Sequence, residues 1–253
     1  TFVRRGHGGP LNAPSFNLLG AVDDVDLQLS AVKRAYPAAP FIAMIGVSAG
    51  SAQLISYLGR AGETTPVGAA CAICPAWDVP AAFGALGETE PLAESAMLRG
   101  IRARFLCGQN EEMLRAWDAE AFEQCAQANS LPDFMAAHAP FAMRDRGATA
   151  ADYYAAHDPM ADRRGVAVPT LLLNAQDDFV CPASLARPDV IATEQPGALL
   201  AITKSGSHVA FNEGVFARGA FHLRISFDFL DAARQTAPEQ ASSAEPSNAV
   251  PQL

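Results

Sequence analysis

A serine between glycines, a pair of adjacent aspartates and a histidine in a Gly/Ser loop are the residues of this chain best suited to chemistry. The serine is Ser48 in "IGVSAGS", residues 45 to 51, where an apolar run ends in G-x-S-x-G. Such a pentapeptide fits a strand that turns abruptly into a helix, with a strained central residue and flanks where a side chain collides with the adjoining strand or helix. A serine hydroxyl is a weak nucleophile until a base takes its proton, and that base needs a partner to fix its tautomer. "LLLNAQDDFVCP" offers Asp177 and Asp178, and "AITKSGSHVAFNEG" offers His208, each just past an apolar run. The backbone N–H of Ala49, next to the serine, is a candidate donor to an oxyanion.

These residues need a scaffold that brings strand ends together. "VDDVDLQLSAVKRAYP" reads as a helix, with Val25, Leu29 and Val32 at helical spacing and Pro37 just beyond its end. "FIAMIG" is a continuous apolar run suited to a parallel strand covered on both faces. "SAGSAQLISYLGRAG" is a helix with Leu54, Ile55 and Leu58 inward, ended by Gly59 or Gly62, and "PVGAACAICPAW" is another buried strand. Strand, helix, strand implies a right-handed βαβ unit in a parallel sheet. Residues 78–165 then read as helices without a convincing strand, a cap inserted between core segments 1–77 and 166–235. "VAVPTLLLN" and "GALLAITKS" resume the strands, joined by the mostly helical "PASLARPDVIATEQ". "FARGAFHLRISFDFLDAARQ" closes the fold as an amphipathic helix, and the Pro/Ser/Ala/Gln-rich tail 236–253 reads as disordered.

Composition excludes several classes. The chain has 253 residues, half of them hydrophobic, and a formal charge of -9, with no basic patch long enough to track phosphates, so nucleic acid is not an expected partner. Its apolar runs are far too short to cross a bilayer. The five cysteines, Cys71, Cys74, Cys107, Cys125 and Cys181, are odd in number and scattered. Cys71 and Cys74 sit three apart in a buried strand and are expected on opposite faces; with no second pair, they read as reduced structural residues and not as a zinc site. His7, His138, His157 and His222 have no comparable partner set and read as loop, cap or surface residues. No cofactor is called for.

Ser48, Asp178 and His208 follow one another in the Ser…Asp…His order that an α/β-hydrolase uses. Pro182, four residues past Asp178, favours Asp178 over Asp177 as the acid, with Asp78 in "CPAWDV" an outside candidate. The chain resembles the α/β-hydrolase superfamily, and within it the AB hydrolase 4 family of esterases and phospholipases. The resemblance is carried by "RGHGG", "RAYPAAPFIAMIGVSAGS", "DYYAAHDP", "VPTLLLNAQDDFVCP" and "KSGSHVAFNEG". It implies a serine carboxylic-ester hydrolase acting on acyl lipids or similar esters, with Ser48, Asp178 and His208 as its triad. It also implies membrane association through a segment before the hydrolase domain, and it places the family's first strands and second oxyanion donor ahead of Thr1. A chain lacking those strands and that donor is expected to be poorly soluble or only weakly active, since an uncovered apolar strand edge templates aggregation and one such donor carries on the order of 10²–10³ in kcat. Similarity fades between about residues 80 and 145, so substrate preference does not transfer. Two other functions use the same features: acyl transfer on the same triad, and a non-catalytic binding or scaffold protein on a hydrolase fold. The cap is expected to leave an apolar cleft beside Ser48.

Overall fold

The computed structural model describes residues 7–236. The opening residues 1–6, whose "TFVRR" suits a strand, and the tail beyond Thr236 lie outside the described residues. Residues 7–21 form an irregular loop, followed by α1 (Val22–Ala35), β1 (Ala43–Val47), α2 (Ala49–Ala61) and β2 (Ala69–Ile73). Seven helices come next: α3 (Val79–Thr89), α4 (Pro91–Phe105), α5 (Gln109–Trp117), α6 (Ala119–Gln127), α7 (Leu131–Met143), α8 (Ala150–Ala156) and α9 (Pro159–Asp162). The chain returns through β3 (Thr170–Ala175), α10 (Pro188–Glu194) and β4 (Ala198–Thr203), then β5 (Asn212–Glu213), β6 (Gly219–Ala220) and α11 (Phe221–Thr236).

The four longer strands form one parallel sheet in the order β1-β2-β3-β4. Every residue of β2 and β3 is buried, which explains the apolar run of β2 and the three leucines of β3, although β3 also buries Thr170 and Asn174. One face carries Cys71, Ile73, Leu171 and Leu173 against α11. Leu54 and Leu58 of α2 pack with Ala70 of β2 on the other, beside Val25 and Leu29 of α1. Helix α2 ends at Gly62, whose φ of 52° is a left-handed conformation that glycine adopts without strain.

The structure differs from the sequence reading in places, each for a local reason. The helical stretch "AAFGALGETEPLAESAMLRGIRARFL" breaks at Glu90, because Pro91 cannot donate the hydrogen bond that would continue α3 and instead opens α4. The closing helix begins at Phe221 and not at Phe216, since residues 219 and 220 pair with Glu213 and Asn212 in a short antiparallel ladder. Cys71 and Cys74 are not on opposite faces. Strand β2 stops at Ile73, and Cys74, with φ 51°, turns back into the same cluster as Cys71. Cys107 is exposed, unlike the other four cysteines.

The early loop is also more than a connector. Phe16 is fully buried among Phe105, Phe134 and Phe141 of the cap, with ring centroids 4.6, 6.5 and 5.6 Å away. Residues that precede the first strand thus complete the core of helices that follow the second.

Candidate active site

A single residue, Ser48, separates the end of β1 from the start of α2. Its φ of 54° and ψ of −124° lie where non-glycine residues are rare, a strain of order 1–3 kcal/mol. Its N–H donates to the carbonyl of Ile73 at 2.9 Å, pinning the corner to the end of β2. Gly46 is required by close approach: a Cβ there would lie 2.5 Å from the Gly50 carbonyl oxygen and 2.7 Å from Ser51 Cα. The expectation that both flanking glycines relieve a collision holds for Gly46 alone, because a Cβ on Gly50 meets nothing within 4 Å. Ala49 begins α2, so its N–H has no intrahelical acceptor and lies at the positive end of the helix dipole.

His208 stands in the loop after β4, where Ser207, Val209 and Phe211 all have positive φ, at 50°, 71° and 40°. Phe211 N–H closes the loop onto the Gly206 carbonyl at 2.9 Å. Asp177 fastens it from outside, its Oδ1 accepting from the N–H groups of Gly206 and Ser207 at 2.9 and 2.8 Å. The two adjacent acids therefore divide their contacts: Asp177 holds the backbone of the histidine loop, and Asp178 faces the ring. Asp78 is in neither place; it caps α3, accepting from Ala81 N–H at 2.9 Å.

Ser48 Oγ lies 2.8 Å from His208 Nε2, and His208 Nδ1 lies 3.1 and 3.0 Å from the two oxygens of Asp178. Asp178 Oδ1 also accepts from the N–H groups of Val180 and Cys181 at 2.9 and 2.8 Å. Burial pushes the Asp178 carboxyl up, but its hydrogen bonds with His208 and Cys181 N–H, with the His208 charge, outweigh this and hold it below its ordinary range. An ionised carboxylate only accepts, so Nδ1 carries the ring proton and Nε2 is left to accept from the serine hydroxyl. The Asp178 side chain is wholly buried and the His208 ring 19% exposed.

Sequence reasoning passed over a third neighbour. Cys74 Sγ, an Asp178 oxygen and a His208 ring nitrogen all lie within 4.8 Å of one another. Burial, chiefly, pushes this thiol up to about 12. Among the described residues these atoms also form the one cluster with metal-ligating potential, but a cation there would compete for the atoms that join His208 to Asp178. Its only sequence signal was a cysteine at a strand end, before the proline and tryptophan of "CPAW".

Two histidines read as bystanders are structural. His138 is fully buried in α7; its Nδ1 lies 2.8 Å from the Met135 carbonyl, its Nε2 has no partner, and burial lowers it from 6.5 to about 4. His157 joins α8 to the early loop, with Nδ1 2.7 Å from the Tyr153 carbonyl and Nε2 3.0 Å from Asn17 Nδ2. A carbonyl only accepts, so Nδ1 is protonated, while Nε2 faces both the Asn17 amide and, at 3.1 Å, the Gly20 carbonyl.

A cavity of about 440 Å³ lies between the start of α3, helices α8 and α9, and the turn after β3. Trp77, Val79, Pro80, Tyr154, Met160 and Leu185 make its apolar wall, while Asp78, Asp158 and Arg187 add charge. Ser48 is not among its lining residues, so it is not the apolar cleft expected beside the serine.

No protein-family model matches the chain. An α/β fold family hydrolase from Bacillus anthracis superposes over 91% of this chain and 80% of its own with a TM-score of 0.52 at 14% identity. A meta-cleavage product hydrolase from Pseudomonas fluorescens does so over 91% and 78%, with a TM-score of 0.50, also at 14% identity. The chain has the α/β-hydrolase fold. In sequence, the chain is similar to phospholipase ABHD3 of Mus musculus, 29% identical over 233 residues, or 91% of this chain and 55% of the relative. Human phospholipase ABHD3 is 28% identical over the same length, covering 91% and 56%. The chain thus spans about half the length of the curated relatives it matches.

Proposed function

We propose that the chain is a serine ester hydrolase. The observation that carries this reading is the continuous relay from Ser48 Oγ through His208 to Asp178, at 2.8 and 3.0 Å, on three strand ends. Ser48 attacks the acyl carbonyl while His208 Nε2 takes its proton, and Asp178 stabilises the imidazolium that forms. Ala49 N–H, one of the first donors of α2, stabilises the tetrahedral oxyanion. His208 then returns the proton to the leaving alcohol, and water, activated by the same imidazole, releases the acid from Ser48.

Acyl esters of lipid character are the proposed substrates. The names of the ABHD3 relatives support this, as does a cap whose interior is built from phenylalanine and leucine. The test is covalent labelling of the intact protein with a fluorophosphonate, which needs an activated serine and no known substrate. The expected result is rapid labelling that Ser48→Ala abolishes. Labelling that survives in Ser48→Ala, or none in the wild type, sinks the mechanism. A series of p-nitrophenyl esters then addresses the substrate class: kcat/KM should rise with acyl length, and a preference for acetate over longer chains would refute the lipid reading.

A further inference from the structure

The relay above leaves Asp178 unevenly held. Its Oδ1 accepts from two backbone N–H groups as well as from His208, whereas Oδ2 has the imidazole as its one hydrogen-bond partner among the described residues. A carboxylate bound on one oxygen can rotate about its Cβ–Cγ bond, and rotation takes the other oxygen out of line with Nδ1. A further side chain in reach is Cys74, whose sulfur lies within 4.8 Å of both the carboxylate and the ring.

Resting on the serine-hydrolase reading, we propose that Cys74 is a positioning residue for the triad: its S–H donates to the Asp178 carboxylate and holds it square to His208. Three observations carry this. Cys74 is fully buried, so water does not compete for the thiol proton. Its N–H donates to the Leu173 carbonyl at 2.7 Å, fixing the backbone beside the strand that leads to Asp178. It also keeps a φ of 51°, a conformation that glycine occupies without strain and that other residues rarely adopt. The side chain packs in the cluster with Cys71 and Ile73, and its thiol adds a donor within reach of the carboxylate.

Cys74→Ser keeps a donor, Cys74→Ala removes it, and Cys74→Gly removes it while relieving the backbone. In the intact protein, Ala and Gly are expected to lower kcat and the fluorophosphonate labelling rate roughly tenfold, as for loss of one hydrogen bond to a charged group, with KM unchanged. Serine should restore most of the rate. The His208 Nδ1 proton resonance, followed by NMR without any substrate, should move upfield in Ala and Gly but not in Ser. Wild-type rates with an unmoved resonance in Ala and Gly would overturn the proposal, as would a serine variant no better than alanine. Should the alanine variant fail to fold, the glycine and serine pair alone decides. The serine-hydrolase reading fails separately: an unlabelled wild type ends that reading, whereas a labelled wild type with indifferent Cys74 variants ends only this one.

Discussion

The strand ends and the helical cap are held by different forces, and the contrast explains which residues each can exchange. At the strand ends, backbone groups do the positioning: Ser48 hangs from Ile73, Asp178 from Val180 and Cys181, and the histidine loop from Asp177. Every residue brings a main-chain acceptor and every residue but proline a donor, so beyond the candidate triad this scaffold depends on few side-chain choices, chiefly the Asp177 carboxylate and the bare Gly46. The cap is held by shape. Phe16, Phe105, Phe122, Phe134 and Phe141 are all buried in one cluster, closed by a loop from far upstream in the chain. A change at a strand end should therefore cost chemistry, and a change in the cap should cost stability.

The largest expected effect tests the first half of that contrast. Asp178→Asn keeps an acceptor for Val180 and Cys181 but presents an amide to His208 Nδ1, favouring the wrong tautomer; kcat should fall on the order of 10⁴-fold. The melting temperature should stay near that of the wild type. A comparable loss of stability would mean that chemistry and scaffold are not separable here. Phe16→Ala is its counterpart in the cap. It should cost about 3–5 kcal/mol in denaturant unfolding, as for a fully buried aromatic. Fluorophosphonate labelling of the remaining folded protein should continue; its disappearance would show that the cap shapes the serine as well.

His138 gives the cap a pH dependence of its own. Its native value of about 4 lies below the ordinary 6.5, so between these the unfolded chain binds a proton that the folded chain refuses. Stability is then lost as pH falls from about 6.5 toward 4, by roughly 3 kcal/mol at about 1.4 kcal/mol per unit. His138→Phe, set among Phe16, Phe134 and Tyr153, should flatten that part of the stability profile. An unchanged slope in the variant would place the acid sensitivity elsewhere.

The smallest effects separate the two glycines of the corner. Gly46→Ala forces a methyl against the backbone of α2 and should cost about 1–3 kcal/mol together with much of the activity. Gly50→Ala meets open space inside a helix, where alanine is favoured by up to about 1 kcal/mol, so stability should hold or rise. Thermal melts of the two variants suffice. Equal destabilisation would contradict the geometry of the corner.

Much of the core was legible because its elements carry strong patterns. The apolar runs of β2 and β3 and the helical spacing of Leu54, Ile55 and Leu58 need no tertiary information, and a parallel sheet follows from their alternation. The cap was legible as helices but not as an arrangement. Nothing in "PSFNLLG" announces that Phe16 belongs with Phe141, because their contact depends on how separate helices pack. The same holds for Cys74, whose strand end looked like a continuation of the strand until its backbone turned.

By itself the sequence determined the candidates: a serine at a G-x-S-x-G corner, aspartates and a histidine after later strands, and the order in which they come. Those are local properties, set by which residues can occupy a sharp turn and which runs must be buried. Only the tertiary structure decided the meeting of Ser48 and His208, 160 residues apart, at 2.8 Å, and the division of contacts between Asp177 and Asp178. It also brought Cys74 to the same carboxylate. The physical reason is that parallel pairing aligns the carboxyl ends of strands distant in sequence, while the direction each side chain takes there depends on backbone dihedrals and neighbours that no single segment encodes.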